Sequence, residues 1–174
     1  ICFPKDSDKI AQIVRSFFDK DQKVTITDAN ANMGGLTIGF TKHFDHVNVV
    51  EIVPLHCKIL ENNLTNFGTF DKVKIYCNDY LDIGHKIKQD AIFFDPPWGG
   101  PNYKYEKILD MFLDEINIVD IIKSVLDYTK IVALRVPFNY NLKELLKLTK
   151  SSKIFTFNTY DGRLNYFLVV LENM

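Results

Sequence analysis

The chain is poor in arginine, tryptophan, methionine and cysteine, and it has neither an excess charge of one sign nor a long apolar run. Its 174 residues hold 18 lysines but 3 arginines, with 1 tryptophan, 3 methionines and 3 cysteines. A net charge of −1 excludes a broad basic face that could grip long nucleic acid by its phosphates alone. The longest apolar stretches, such as 166–171, fall far short of the ~20 residues that a membrane helix needs, so no membrane partner is expected. The cysteines Cys2, Cys57 and Cys77 are odd in number, spread out and without CxxC spacing, which reads as a reducing compartment and no metal site. No secretory signal is visible, and a start at Ile1 rather than Met reads as upstream residues trimmed away. The lysine excess, with abundant Ile, Asn, Phe and Tyr, fits an AT-rich genome. With 8 glycines, 6 prolines and 13% aromatics, collagen-like, coiled-coil and disordered chains are excluded. What remains is one domain over residues 1–174, long enough to bury a core.

Helical and strand periods alternate along it. Ile10, Ile13, Val14 and Phe17 predict a helix capped by Asp6 or Ser7. Strands are expected at 24–28, 47–51, 73–77, 90–94 and 131–136, and a closing hairpin at 154–158 and 164–171. Helices are expected at 36–44, from Pro54 to Gly68, over Ile108, Phe112, Ile116, Val119 and Ile122 as the longest, and at 142–148. Strands each followed by a helix give parallel βαβ units, hence an α/β fold with a doubly wound sheet, here with an antiparallel edge. Such sheets bind ligands beyond the carboxyl ends of their strands.

Four strand ends carry the chemistry. After the first comes Asp28-Ala29, then Gly34-Gly35 at the turn into a helix. These glycines bring the backbone close to a ligand, or simply allow tight packing. This is not the GxGxxG of nicotinamide binders. Asp28 can orient the loop or accept a hydrogen bond from a ligand ammonium. Glu51, at the second strand end, can take both hydroxyls of a ribose, or be an ordinary solvated carboxylate. Asp79, after the third, can take the amine of adenine, or cap a helix. The fourth strand runs into Asp95-Pro96-Pro97-Trp98-Gly99-Gly100-Pro101-Asn102-Tyr103, where three prolines and two glycines fix a rigid loop. A tryptophan between Pro-Pro and Gly-Gly is poorly placed for a core.

An exocyclic amine on a nucleobase is a poor nucleophile, because its lone pair is delocalised into the ring. Asp95 and the Pro96 carbonyl can accept its two N–H groups, while Trp98 stacks on the base and sets the angle of attack. Catalysis on a sulfonium methyl then rests on orientation and electrostatics, with no covalent intermediate.

With this loop the chain resembles class I S-adenosylmethionine-dependent methyltransferases, and among them the trimethylguanosine synthases, which methylate the guanine N2 of RNA caps. Phe3 with Asp8-Lys9-Ile10-Ala11 resembles the family's first helix and the aromatic before it. Asp28-Ala29 with Gly34-Gly35, Glu51-Ile52-Val53-Pro54, Asn62-Asn63 with Gly68, and Asn78-Asp79-Tyr80 resemble its cofactor segments. Pro96-Pro97-Trp98-Gly99-Gly100-Pro101 with Tyr103 resembles its signature loop. The resemblance implies a seven-stranded Rossmann-like methyltransferase sheet with S-adenosylmethionine as cofactor. Phe3, Asp28, Ala29, Gly34, Gly35, Glu51, Ile52, Asp79, Tyr80 and Asp95 would bind it. It also implies Trp98 stacked on a cationic 7-methylguanine, with a cation–π gain of roughly 1–2 kcal/mol. Pro101 and Tyr103 would complete that site, and Lys104, Lys107 and Arg163 would face the triphosphate. The product would be a di- or trimethylguanosine cap, the protein a monomer, and its place the nucleus or, for a viral protein, the host cytoplasm. Asp95 stands where this family often has serine, and Asn32 where it usually has glycine.

Two other readings compete. Another exocyclic-amine methyltransferase, acting on adenine N6 or ribosomal guanine N2, would share the Asp-Pro-Pro-aromatic loop. In the permuted messenger-RNA adenine enzymes that loop precedes the glycine-rich one, whereas here it follows. A non-catalytic module binding cap or cofactor is the third.

Overall fold

The computed structural model describes residues 3–173, so Cys2 lies outside the described residues. Among the described residues the strands are β1 (Thr25–Asp28), β2 (His46–Glu51), β3 (Val73–Cys77), β4 (Ala91–Phe94), β5 (Phe112–Leu113), β6 (Ile116–Asn117), β7 (Ile131–Pro137), β8 (Ser151–Asn158) and β9 (Leu164–Glu172). The α-helices among the same residues are α1 (Pro4–Arg15), α2 (Thr37–His43), α3 (Pro54–Asn66), α4 (Tyr80–Ile83), α5 (Ile118–Leu126) and α6 (Leu142–Leu145). Seven strands make one sheet in the order β3-β2-β1-β4-β7-β9-β8. β1 pairs in parallel with both β2 and β4, and β2 with β3, whereas β9 runs antiparallel to β7 and to β8. The mostly parallel sheet with an antiparallel C-terminal hairpin is thus as the sequence predicts. The chain divides into two compact units, residues 1–93 and 94–174.

In the first unit, Ile26, Val47, Val49 and Val50 are buried, as the β-branched runs require of strands covered by helices. α1 begins with Pro4 at its first position, where a missing N–H does no harm. The expected caps are not caps. Phe3 is the N-cap residue, and Asp6 lies in the first turn, where its charge favours the helix dipole. Ser7 is buried instead, because α1 packs on α2 so closely that a Cβ on Gly39 would fall 2.3 Å from its Oγ. α3 also starts on proline and ends just before Gly68, whose φ is +65°.

Cys57, in the first turn of α3, and Cys77, at the end of β3, form a disulfide. This removes the basis for reading a reducing compartment from the cysteines. The two are 20 residues apart, and the return of the chain from α3 into β3 brings their Cα atoms to 6.0 Å.

In the second unit, β7 is buried along its whole length, and α5 buries Ile118, Ile121, Ile122, Val125 and Leu126. The longest helix expected from Ile108 does not form. Residues 112–117 make the small β5–β6 hairpin, turned by Asp114 in the left-handed region at φ 53°. The helix begins only after Asn117, whose side chain accepts the Val119 N–H. Apolar spacing alone cannot separate these outcomes, since Asp114 accepts a left-handed backbone that most residues avoid. The helix expected at 142–148 likewise shrinks to the single turn of α6.

Candidate active site

In the first unit, β1, β2 and β3 deliver Asp28, Glu51 and Asp79 at or just past their carboxyl ends. Asp28 is fully buried, and its Oδ2 accepts the Thr37 hydroxyl at 2.7 Å, which ties the end of β1 to the start of α2. Between them, Gly34 has φ +88°, and a Cβ there would lie 2.6 Å from Leu60 Cδ1. Both reasons for glycine therefore hold at one position: backbone conformation and close packing. Ser7 Oγ donates to the Gly35 carbonyl at 2.9 Å, so α1 steadies the loop from outside. The Asn30 side-chain oxygen is buried there without a hydrogen-bond partner.

Glu51 is not a solvated carboxylate. It is buried, with Oε2 accepting the Asn32 N–H at 2.8 Å and Oε1 the Val53 N–H at 2.9 Å. His56 Nδ1 lies 3.4 Å from the same Oε1. Oε2, with a single donor, still has a lone pair for another. Asp79 is the N-cap of α4 and accepts the Leu81 N–H at 2.9 Å, so its helix-capping reading is realised. Tyr80 is buried, with its hydroxyl near the Gln89 amide at 3.3 Å. Ala29 is buried and its N–H donates to the Phe93 carbonyl, while Phe3 and Ile52 are 69% and 62% exposed. A cleft of about 360 Å³ opens at the amino ends of these strands, lined by Thr25, His46, Asn48, Lys72 and Lys74, and takes in none of the carboxylates.

In the second unit, Asp95 follows β4 with its side chain 16% exposed and meets Arg135 of β7 at 10%. Arg135 Nε donates to Oδ1 at 2.9 Å, and Nη2 lies 2.8 Å from Oδ2. Burial pushes the Asp95 carboxyl above its ordinary value, and the Arg135 guanidinium pulls against that shift. Trp98 is half-buried, edge-on to Tyr103 at 5.2 Å, and its indole N–H is buried without a partner. Gly99 and Gly100 both have positive φ, at +84° and +81°, and this bends the loop into the 3₁₀ turn over Pro101–Tyr105. Asn139 Nδ2 donates to the Tyr103 and Glu106 carbonyls, both at 2.8 Å, which clamps that turn. Lys104 and Lys107 are exposed, and Lys104 Nζ sits 5.8 Å from the centre of the Tyr103 ring. Arg163 is on the β8–β9 turn, where Asp161 engages its guanidinium at 2.7 Å.

Arg135, Tyr166, Asn139, Asn30 and Thr37 escape sequence reasoning. A charged residue inside the apolar run 131–136 was the one available signal for Arg135.

Residues 23–172 match the model of the RNA cap guanine-N2 methyltransferase family. The chain belongs to this family. It is 30% identical over 154 residues to a protein of Acanthamoeba polyphaga mimivirus, covering 86% of this chain and 59% of that one. It is 29% identical over 132 residues to the trimethylguanosine synthase of Saccharomyces cerevisiae, covering 72% of this chain and 42% of that protein. The chain thus spans about half the length of the curated relatives it matches. Among solved structures, an S-adenosylmethionine-dependent O-methyltransferase of Thermotoga maritima superposes with a TM-score of 0.71 at 20% identity, over all of this chain and 67% of its own. That likeness shows the fold.

Proposed function

We propose that this family member transfers a methyl group from S-adenosylmethionine to the exocyclic N2 amine of a 7-methylguanosine cap, giving di- or trimethylguanosine. The observation that carries this reading is the loop Asp95–Tyr103, whose rigid backbone holds a carboxylate and a half-buried indole with an unpartnered N–H. The family match covers both units, which supports one methyltransferase domain over 1–174.

The first unit's donor set fits the cofactor. Glu51 Oε2 keeps a lone pair for a ribose hydroxyl, the buried Asn30 oxygen awaits a donor, and exposed Ile52 and Phe3 suit the adenine face. Asp28, Ala29, Gly34, Gly35, Asp79 and Tyr80 complete the set. When bound, S-adenosylmethionine supplies an electrophilic sulfonium methyl, and the C–S electron pair stays on sulfur.

The chain's own residues do the rest. Asp95 and the Pro96 carbonyl accept the N–H groups of the amine and hold its lone pair outward. Trp98 offers a π-face to a base made cationic by N7 methylation, with Pro101 and Tyr103 around it. No strong base is needed, because the amine's proton can pass to water after the methyl has moved. Of the cations, Lys104 is the better placed for the triphosphate, since Arg163 is already engaged by Asp161. The substrate would put the protein in the nucleus or, in a viral setting, the host cytoplasm. Among the described residues no helix is long and apolar enough to cross a membrane.

The test is mass spectrometry of 7-methyl-GTP after incubation with protein and S-adenosylmethionine, beside unmethylated GTP and an adenine dinucleotide. One or two added methyl masses on 7-methyl-GTP alone establish the reading and count the methyls. Methylated adenine instead would assign the broader amino-methyltransferase class.

A further inference from the structure

β7 reads Ile131-Val132-Ala133-Leu134-Arg135-Val136-Pro137, and every residue of it is buried. A guanidinium in such a strand loses most of its hydration and persists only where its geometry is satisfied. Here it is held from three sides. Its Nε and Nη2 take one oxygen each of the Asp95 carboxylate, at 2.9 and 2.8 Å. Its carbon lies 5.1 Å from the centre of the Trp98 ring and 5.3 Å from that of Tyr166. Tyr166 is itself fixed by stacking on Phe157, with centroids 4.7 Å apart and planes within 11°. A fork that meets both carboxylate oxygens sets the plane of the carboxyl group, which a point charge cannot do.

We infer that Arg135 is a positioning residue: fixed by the rings of Trp98 and Tyr166, it holds the plane and the charge of Asp95, so that this carboxylate meets an amine substrate as a pre-aimed acceptor. The inference rests on the proposed amine methylation. Arg135 uses one lone pair of each oxygen and leaves another on each for the substrate. Without the guanidinium, the buried carboxyl would favour its protonated form and rotate, turning an acceptor toward the amine into a donor. Arg135 therefore acts through Asp95 rather than on the reacting atoms.

The experiment compares wild type, R135K, R135M, D95N and the double variant D95N/R135M, with turnover and KM measured on 7-methyl-GTP and cofactor affinity by calorimetry. The expected result for R135M is a kcat lowered on the order of 100-fold, the scale of a displaced reacting group, with KM and cofactor affinity within about twofold. R135K keeps the charge without the fork and should recover part of the loss. The double variant lacks the unpaired buried charge, so it keeps the test open where R135M fails to fold. Its kcat should equal that of D95N, because Arg135 has nothing to position once Asp95 is gone. Emission from Trp98, the sole tryptophan, should shift in R135M as a direct report of the lost cation. A folded R135M with wild-type kcat, or a double variant clearly slower than D95N, overturns the inference and leaves the cap reading intact. Wild-type protein that methylates no amine substrate overturns the cap reading and the inference with it.

Discussion

Asn32 donates its backbone N–H to Glu51 Oε2 at 2.8 Å from a left-handed conformation at φ 51°. Asparagine is among the few non-glycine residues that accept this backbone without a large penalty, so Asn32 fits the loop as it stands. Glu51 is thereby held in place before any ligand arrives. Replacing it with glutamine keeps the shape and removes the charge and one acceptor. S-adenosylhomocysteine affinity, measured by calorimetry, should fall at least tenfold in Glu51→Gln, with Trp98 emission unchanged. Wild-type affinity would remove Glu51 from the ribose role.

Gly34 allows a sharper test of the loop. Alanine there meets both φ +88° and the 2.6 Å approach to Leu60 Cδ1. Strain and overpacking of this kind cost about 1–3 kcal/mol each. Urea unfolding of Gly34→Ala should show a clearly lowered midpoint and weakened cofactor binding. Gly99→Ala, which meets only the backbone penalty and no neighbour within 4 Å, should lose less stability. Equal midpoints for the two would show that the Leu60 contact carries no energy.

Much of the sheet was legible because strands such as 24–28, 47–51 and 131–136 are short runs rich in β-branched residues, and a parallel sheet puts the informative residues at strand ends. That is how Asp28, Glu51 and Asp79 come to notice in a single sequence. What was not legible depends on contacts between distant segments. Arg135 reads as an oddity in an apolar strand until Asp95, 40 residues earlier, is seen beside it. Ser7 resembles a cap until α2 packs against it. Cys57 and Cys77 meet only because β3 returns alongside β2. The spacing Ile108, Phe112, Ile116 fits a helix, but Leu109 exchanges backbone hydrogen bonds with Asn139 and Asn141 instead, and Asp114 turns the chain back.

The β8–β9 turn gives a pH prediction with a definite sign. Asp161 is drawn down to about 2, first by the Thr159 hydroxyl and then by Arg163. A carboxyl more acidic in the folded state adds stability above its unfolded value of 3.8, and this is lost as pH falls toward 2. The group is fully exposed, so the contribution is small. Asp161→Asn should therefore melt slightly lower than wild type at pH 7, and the two should converge near pH 2. A difference that grows on acidification would refute the assignment.

Under the proposed cap reading, Trp98 is expected to serve the substrate and not the cofactor, because its neighbours Tyr103, Tyr166 and Arg135 all belong to the second unit, while the proposed cofactor ligands are mainly in the first. Trp98→Ala removes the π-face and exposes one side of the Arg135 guanidinium. Stacking on an aromatic side chain is worth about 1–3 kcal/mol per base, so affinity for 7-methyl-GDP should fall roughly 10- to 100-fold. Affinity for S-adenosylhomocysteine should stay within about twofold of wild type. Trp98→Phe should recover part of the loss, since a smaller ring still offers a face to a cationic base. Should both variants bind the cap analogue like wild type, the base would rest on another surface, and the signature loop would serve the fold rather than the substrate.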